Sequence, residues 1–238
     1  YDAAGNITQK SVVADDGTET ATTFVDGNRA TVVMTDSLLD GGFETWESIT
    51  STYDATGEIT QKTRVDDDGS TTIQGYTDGA LTAFSVVDSP VGAGNEIWDR
   101  IDTTYASDGT NTTTTTLTTY DDGVESLDVR VDGVRTQRVD TDNSADGSAR
   151  IWTTSEDFFD ATGEISGGRI VYDNADQFAF TYVDGSVTQQ VQFDGDDSQS
   201  WMFRVKDITV DGPVVTTYDT MEDAPVEITS LFIEDPLF

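Results

Sequence analysis

The chain repeats itself. Tyr1 to Lys10 reads YDAAGNITQK and Tyr53 to Lys62 reads YDATGEITQK, 52 residues later. Further copies start at Tyr105 (YASDGT) and Phe159 (FDATGEI), and a degenerate one at Ile208 (ITVDGPV). The glycines at the fifth position of the copies, Gly5, Gly57, Gly109, Gly163 and Gly212, follow at intervals of 52, 52, 54 and 49. A period of this length means that each copy is one supersecondary unit, stabilised by its neighbours. The copies span 1–52, 53–104, 105–158 and 159–207, with 208–238 as a degenerate fifth repeat and apolar C-terminal cap.

Other columns keep the same phase. Gly27, Gly79, Gly133 and Gly185 each follow an Asp, and nine residues later come Asp36, Asp88, Asp142 and Asp194. All four tryptophans, Trp46, Trp98, Trp152 and Trp201, occupy one column, the last copy being three residues shorter before its Trp. A second turn column holds Gly17, Gly69 and Gly123, with Ala175 in the fourth copy. The dipeptide Asp-Gly occurs 12 times and takes up 12 of the 21 glycines. Asp-Gly supplies the positive φ of type I′ and Gly-bulge hairpin turns.

Each copy therefore reads as four strands in an antiparallel meander. In the first copy these are about Ile7–Ala14, Thr18–Val25, Arg29–Asp36 and Phe43–Thr52. Abundant Thr and scarce Leu and Lys agree with an all-β chain. Two arrangements of the tandem ~52-residue, four-stranded repeats follow from the period. One is an elongated twisted or spiral sheet; the alternative is a β-propeller-like ring. At 35% hydrophobic residues the chain has few large aliphatics with which to bury both faces of a blade, which favours the elongated sheet. The apolar tail Val226–Phe238 reads as a cap, or as an edge that pairs with a neighbouring chain.

Charge and absent residue types set limits on function. There are 46 acidic and 12 basic residues, a net charge of −34, with no Cys and no His. A Ser-His-Asp triad, a thiol nucleophile and a Cys- or His-ligated metal are thereby excluded. The charge repels phosphate backbones, so nucleic acid is not an expected partner. No run of apolar residues is long enough for a membrane span. Chemistry is expected to be ionic, and no enzyme is expected, because no singular charged cluster breaks the repeat. The start at Tyr1, without Met, reads as a mature or excised piece of something longer.

The loop between strands three and four carries the best ionic pattern. Calcium loops want oxygens at alternate positions, Gly at the sixth and a carboxylate at the twelfth. Asp36, Asp40, Gly41 and Glu47 take the first, fifth, sixth and twelfth places, with Leu38 in the third. Asp142, Ser144, Asp146 and Gly147 take the first, third, fifth and sixth, and copy two offers Asp88 and Asp99. With Asp194 these form the candidate metal set, and calcium is the expected ion. The competing reading is that the Asp36, Asp88, Asp142 and Asp194 column caps the backbone at the end of strand three. The Trp column, Trp46, Trp98, Trp152 and Trp201, is either inter-strand packing or a set of stacking platforms for glycans.

The stretches YDAAGNIT, YDATGEIT and FDATGEI, each followed by Asp-Gly hairpins, resemble YD/Rhs-class repeats. Together with DDGT, VDG-x-R and a Trp before the next copy, they are similar to acidic tandem arrays in very large secreted RTX-like, haemolysin-type proteins of marine bacteria. The resemblance covers residues 1 to about 212. It implies secretion, an extracellular or cell-surface location in calcium-rich water, and no catalytic residue. The expectation is a structural or adhesive segment of a surface protein or filament, self-associating through sheet edges or the tail. The alternative is a glycan-binding propeller or lectin-like module.

Overall fold

A computed structural model of the chain describes residues 1–37, 44–89, 96–143 and 150–229. It is all-β apart from one short helix, and it divides into two compact units, Tyr1–Asp121 and Asp122–Phe238. Among the described residues no helix is long and apolar enough to cross a membrane.

Unit 1 contains β1 (Gln9–Val13), β2 (Glu19–Val25), β3 (Asn28–Thr35), β4 (Trp46–Tyr53), β5 (Ile59–Asp66), β6 (Thr71–Thr77), β7 (Ala80–Val87), β8 (Trp98–Ser107) and β9 (Thr112–Tyr120). Unit 2 contains β10 (Val124–Val131), β11 (Val134–Asp142), β12 (Trp152–Phe159), β13 (Ile165–Tyr172), β14 (Gln177–Val183), β15 (Ser186–Phe193), β16 (Phe203–Thr209), β17 (Gly212–Tyr218) and α1 (Val226–Thr229). Within each unit successive strands pair antiparallel. The last strand of one copy pairs with the first of the next: β4 with β5, β8 with β9, β12 with β13 and β16 with β17. The copies are thus joined edge to edge rather than set apart as four-stranded blades. Among the described residues β1 has β2 as its one strand partner and β17 has β16, so neither meander closes on itself.

The Asp-Gly turns account for this connectivity. Asp26, Asp78, Asp132 and Asp184 have φ of 51–52°, and the glycines after them 70–83°. Two consecutive positive φ values define the type I′ turn, whose twist matches that of the flanking strands. The turn opening each copy is built differently. The Asp54 carboxylate accepts from the amides of Thr56 (2.8 Å) and Glu58 (3.0 Å) and from the Thr56 hydroxyl (2.7 Å). Asp160 repeats this with Thr162 and Glu164, and Asp2 with Ala4 and Asn6.

These bonds favour the charged carboxylate. The Thr56 hydroxyl, with the Glu58 amide, holds Asp54 below the ordinary carboxylate value; Thr162 does the same for Asp160, and the Asn6 side chain for Asp2. A lowered folded pKa contributes stability that is complete above the unfolded value, about 3.9, and is lost as pH falls through the folded one. Stability is expected to change little from pH 7 to about 5, where these carboxylates stay ionised, and to fall below about pH 4. Asp54→Asn with Asp160→Asn keeps the accepting oxygens and makes the acid limb shallower, with little change at pH 7. Thermal melts from pH 2.5 to 7.5 check this, and an acid limb as steep as that of the parent chain would refute it.

The two units hold together differently. In unit 1 one register row runs Ala21, Val33, Thr50, Thr63, Ile73, Ser85, so polar side chains interrupt the apolar ones. Cross-strand hydroxyl pairs join the backbone ladder, as at Thr23–Thr31 (2.6 Å) and Thr103–Thr116 (3.1 Å); such pairs contribute roughly 0.2–1 kcal/mol each. In unit 2 the corresponding row turns apolar in the fourth copy. Ala179, Val191 and Val205 lie side by side across β14, β15 and β16, with Phe193 opposite Phe203. Ala224 and Ile228, from the segment that includes α1, complete a buried cluster with Ala179, Val191, Phe203 and Val205. The residues leading into the tail therefore cover one face of the sheet, and 230–238 lie outside the described residues.

Two aromatic residues of the column that opens each copy, Tyr53 and Phe159, pack against an arginine from the preceding hairpin. The Arg29 guanidinium lies 5.3 Å from the Tyr53 ring centre, and Arg135 lies 5.5 Å from that of Phe159. The VDG-x-R motif thus links the third strand of copies one and three to the aromatic that begins the next copy.

Candidate metal centre

Among the described residues one group of three acidic side chains comes together: Asp176, Asp194 and Asp196, with carboxylate oxygens within 4.8 Å of one another. Each is placed by its backbone. Asp194 follows the end of β15, and its amide donates to the Met202 carbonyl at 3.0 Å, closing the base of the loop. Asp194 is 5% exposed, and its carboxylate accepts from the amides of Gln199 (2.8 Å) and Ser198 (3.2 Å). Asp196 accepts from the Ser198 amide at 3.0 Å and from the Asn174 side chain at 3.2 Å. Asp176, just before β14, accepts from the Gly195 amide at 3.0 Å and from Asn174 at 2.9 Å. Asn174 thus ties the β13–β14 turn to the β15–β16 loop.

The close approach depends on two small residues. A Cβ on Gly195 would lie 1.9 Å from the Ala175 carbonyl oxygen, so no larger residue fits without moving backbone. Ala175 itself has φ of 69°, standing where the other copies have glycine. The Ser198 hydroxyl holds the Asp196 carboxyl below its usual value, with the Asn174 side chain adding to the effect. Three carboxylates at this spacing suit a hard divalent cation, which takes oxygen ligands and accepts carboxylates in varied geometry. Three are fewer than the six to eight oxygens calcium takes, so backbone oxygens or water would supply the rest.

Of the residues expected from sequence, Asp194 joins this group. Asp36 and Glu47 are joined through backbone, the Asp36 amide donating to the Glu47 carbonyl at 3.0 Å, and Asp88 meets Asp99 in the same way at 2.9 Å. The Asp36 and Asp88 carboxylates accept from the next amides, Ser37 at 2.7 Å and Ser89 at 2.8 Å, which is the capping role the sequence also allowed. Asp142 ends β11 opposite Val124. Asp40 and Asp146 lie outside the described residues. Asp176 and Asp196 were not anticipated. Two departures from the repeat mark their place: Ala175 instead of glycine, and the shortening of the fourth copy before Trp201.

Trp46, Trp98 and Trp152 are the first residues of β4, β8 and β12, and Trp201 lies just before β16; all four are half-buried. The Arg150 guanidinium sits 5.3 Å from the centre of the Trp152 ring. In unit 1 a shallow depression lies where Gly75 faces Ala83, bordered by Ile73 and by Arg100, which is ion-paired with Asp102 at 2.6 Å.

No protein-family model matches the chain, and no curated protein matches it in sequence.

Proposed function

We propose that this chain is a structural, adhesive repeat segment of an extracellular bacterial surface protein or filament, stabilised by calcium. The observation that carries the reading is the edge-to-edge pairing of consecutive copies within each unit, strand four of one with strand one of the next. Such pairing lets a tandem array grow by repetition, each copy adding the same ladder and turn bonds. On this reading the copies build an elongated twisted sheet, and partners are reached through strand edges, the apolar tail or surface glycans. Extreme acidity keeps such an array soluble and suits salty, calcium-containing surroundings. Small-angle scattering tests the architecture: a rod or ribbon is expected, and a compact disc would defeat the proposal.

Calcium belongs to this reading through Asp176, Asp194 and Asp196. Bound to the folded state alone, an ion stabilises by RT ln(1 + [L]/Kd), about 2.7 kcal/mol at a hundredfold excess over Kd. The expected result is a higher melting temperature in millimolar calcium, reversed by chelator and reduced by Asp176→Asn with Asp196→Asn. An equal rise in sodium chloride of matched ionic strength would show screening instead of a site.

A further inference from the structure

The fourth copy departs from the repeat on the sheet face opposite the Ala179–Val191–Val205 cluster. Directly paired residues in an antiparallel sheet share a face, as do residues two apart along a strand. Phe178 is paired with Gln192 and Gln192 with Arg204; Phe180 is paired with Gln190 and Gln190 with Lys206. Two neighbouring rows therefore cross β14, β15 and β16 in the same order: aromatic, amide, cation. The Phe178 and Phe180 rings are stacked, with planes 23° apart and centres 6.4 Å apart, and each is partly exposed. Arg204 is exposed, and neither it nor Lys206 forms an ion pair among the described residues.

This pattern occurs in no other copy. The positions of Phe178 and Phe180 hold Thr20 and Thr22, Thr72 and Gln74, and Ser126 and Asp128 in copies one to three. Those of Arg204 and Lys206 hold Ile49 and Ser51, Ile101 and Thr103, and Ser155 and Asp157. Extending both rows by one strand, to β13 and to β17, adds no carboxylate. A chain with 46 acidic and 12 basic residues has thus placed two cations and no acid on these rows. Packing does not require this, because the same strands already bury their opposite face under Ala224 and Ile228.

We propose that this face binds an acidic polysaccharide, a chain of uronic-acid sugars. The apolar C–H face of a pyranose lies against the Phe178 and Phe180 rings. Gln190 and Gln192 offer paired donors and acceptors to ring hydroxyls. Arg204 and Lys206 meet the sugar carboxylates, as charge-assisted hydrogen bonds are stronger than neutral ones. The net charge opposes the approach of any polyanion at long range. At about 0.15 M salt that repulsion is screened beyond ~8 Å. The Asp176, Asp194 and Asp196 carboxylates stand beside the Phe178 and Gln192 end of the rows, and Arg204 and Lys206 at the β16 end meet the sugar carboxylates. The site goes beyond the structural role and stands or falls independently of it.

Calorimetric titration of the full chain with a hexameric oligogalacturonate, in metal-free buffer at about 0.15 M salt, tests the proposal. The acidic hexamer is expected to bind, and neutral cellohexaose about tenfold more weakly or worse, a difference of about 1.4 kcal/mol. Arg204→Gln with Lys206→Gln weakens oligogalacturonate about tenfold or more without altering the melt, and Phe180→Ala weakens it to a similar degree. Thr72→Ala, at the copy-two position equivalent to Phe178, leaves binding unchanged. No binding, equal affinity for the two sugars, or undiminished affinity in the Arg204/Lys206 variant overturns the proposal. A dimer of the parent chain that dissociates in that variant also overturns it, by assigning the face to a second copy.

Discussion

Phe203→Ala is expected to cost about 3–5 kcal/mol, the range for truncating a fully buried aromatic. Phe203 is 0% exposed, its ring centre lies 5.3 Å from that of Phe193, and it belongs to the cluster that Ala224 and Ile228 complete. Proteins of this size retain roughly 5–15 kcal/mol of net stability, so one such loss is a large share of the total. Among the described residues this cluster is covered by those just before and within α1, so a cavity there also loosens the segment from the sheet. Urea unfolding, followed by hydrogen exchange on the amides of β14–β16, measures the loss. Proteolysis between residues 219 and 229 should become faster in the variant. The half-buried Val33, in the register row of unit 1 that polar residues interrupt, provides the contrast: Val33→Ala should cost about 1 kcal/mol or less, because little surrounds it. Equal losses at the two positions would mean that the Phe203 cluster is no core.

Gly195→Ala is the second large effect. The added methyl would meet the Ala175 carbonyl oxygen at 1.9 Å and its carbon at 2.4 Å, both backbone atoms that cannot rotate away. One of the two loops must shift, at a cost of about 3 kcal/mol, the upper part of the range for overpacked sites. The shift breaks the hydrogen bond that the Gly195 amide donates to the Asp176 carboxylate and separates Asp176 from Asp194 and Asp196. The melting temperature should fall, and any rise produced by calcium should vanish with it. Gly5→Ala is the control for backbone freedom, since Gly5 has φ of 87° but nothing within 4 Å of an added Cβ. If Gly195→Ala melts like the parent chain and keeps a calcium response, the account of the loop contact is wrong.

The local structure was legible in the sequence because it is local chemistry. Asp26-Gly27 and its counterparts dictate a turn through the φ values that only such pairs adopt cheaply, and the structure places that turn there. The strands followed with small errors. The fourth strand of copy one begins at Trp46 among the described residues, and the expected start at Phe43 lies outside them. The candidate site was half legible. Asp194 stood out as part of a column, whereas Asp176 sits 18 residues earlier, across a turn, and no periodicity joins the two. Their meeting depends on Gly195 fitting against Ala175, a contact between two hairpins that pattern reasoning does not see.

The repeat and its Asp-Gly turns by themselves determined an all-β chain of antiparallel meanders, because backbone twist and positive φ are properties of short segments. Tertiary structure decided what those meanders lie against. Register across β14–β16 sorted alternate residues onto two faces, so that Val191 and Phe203 are buried beneath Ile228 while Phe180, Gln190 and Lys206 line up on the other side. Which residue stands opposite which depends on bonds between strands distant in the chain, and the repeat alone does not contain them.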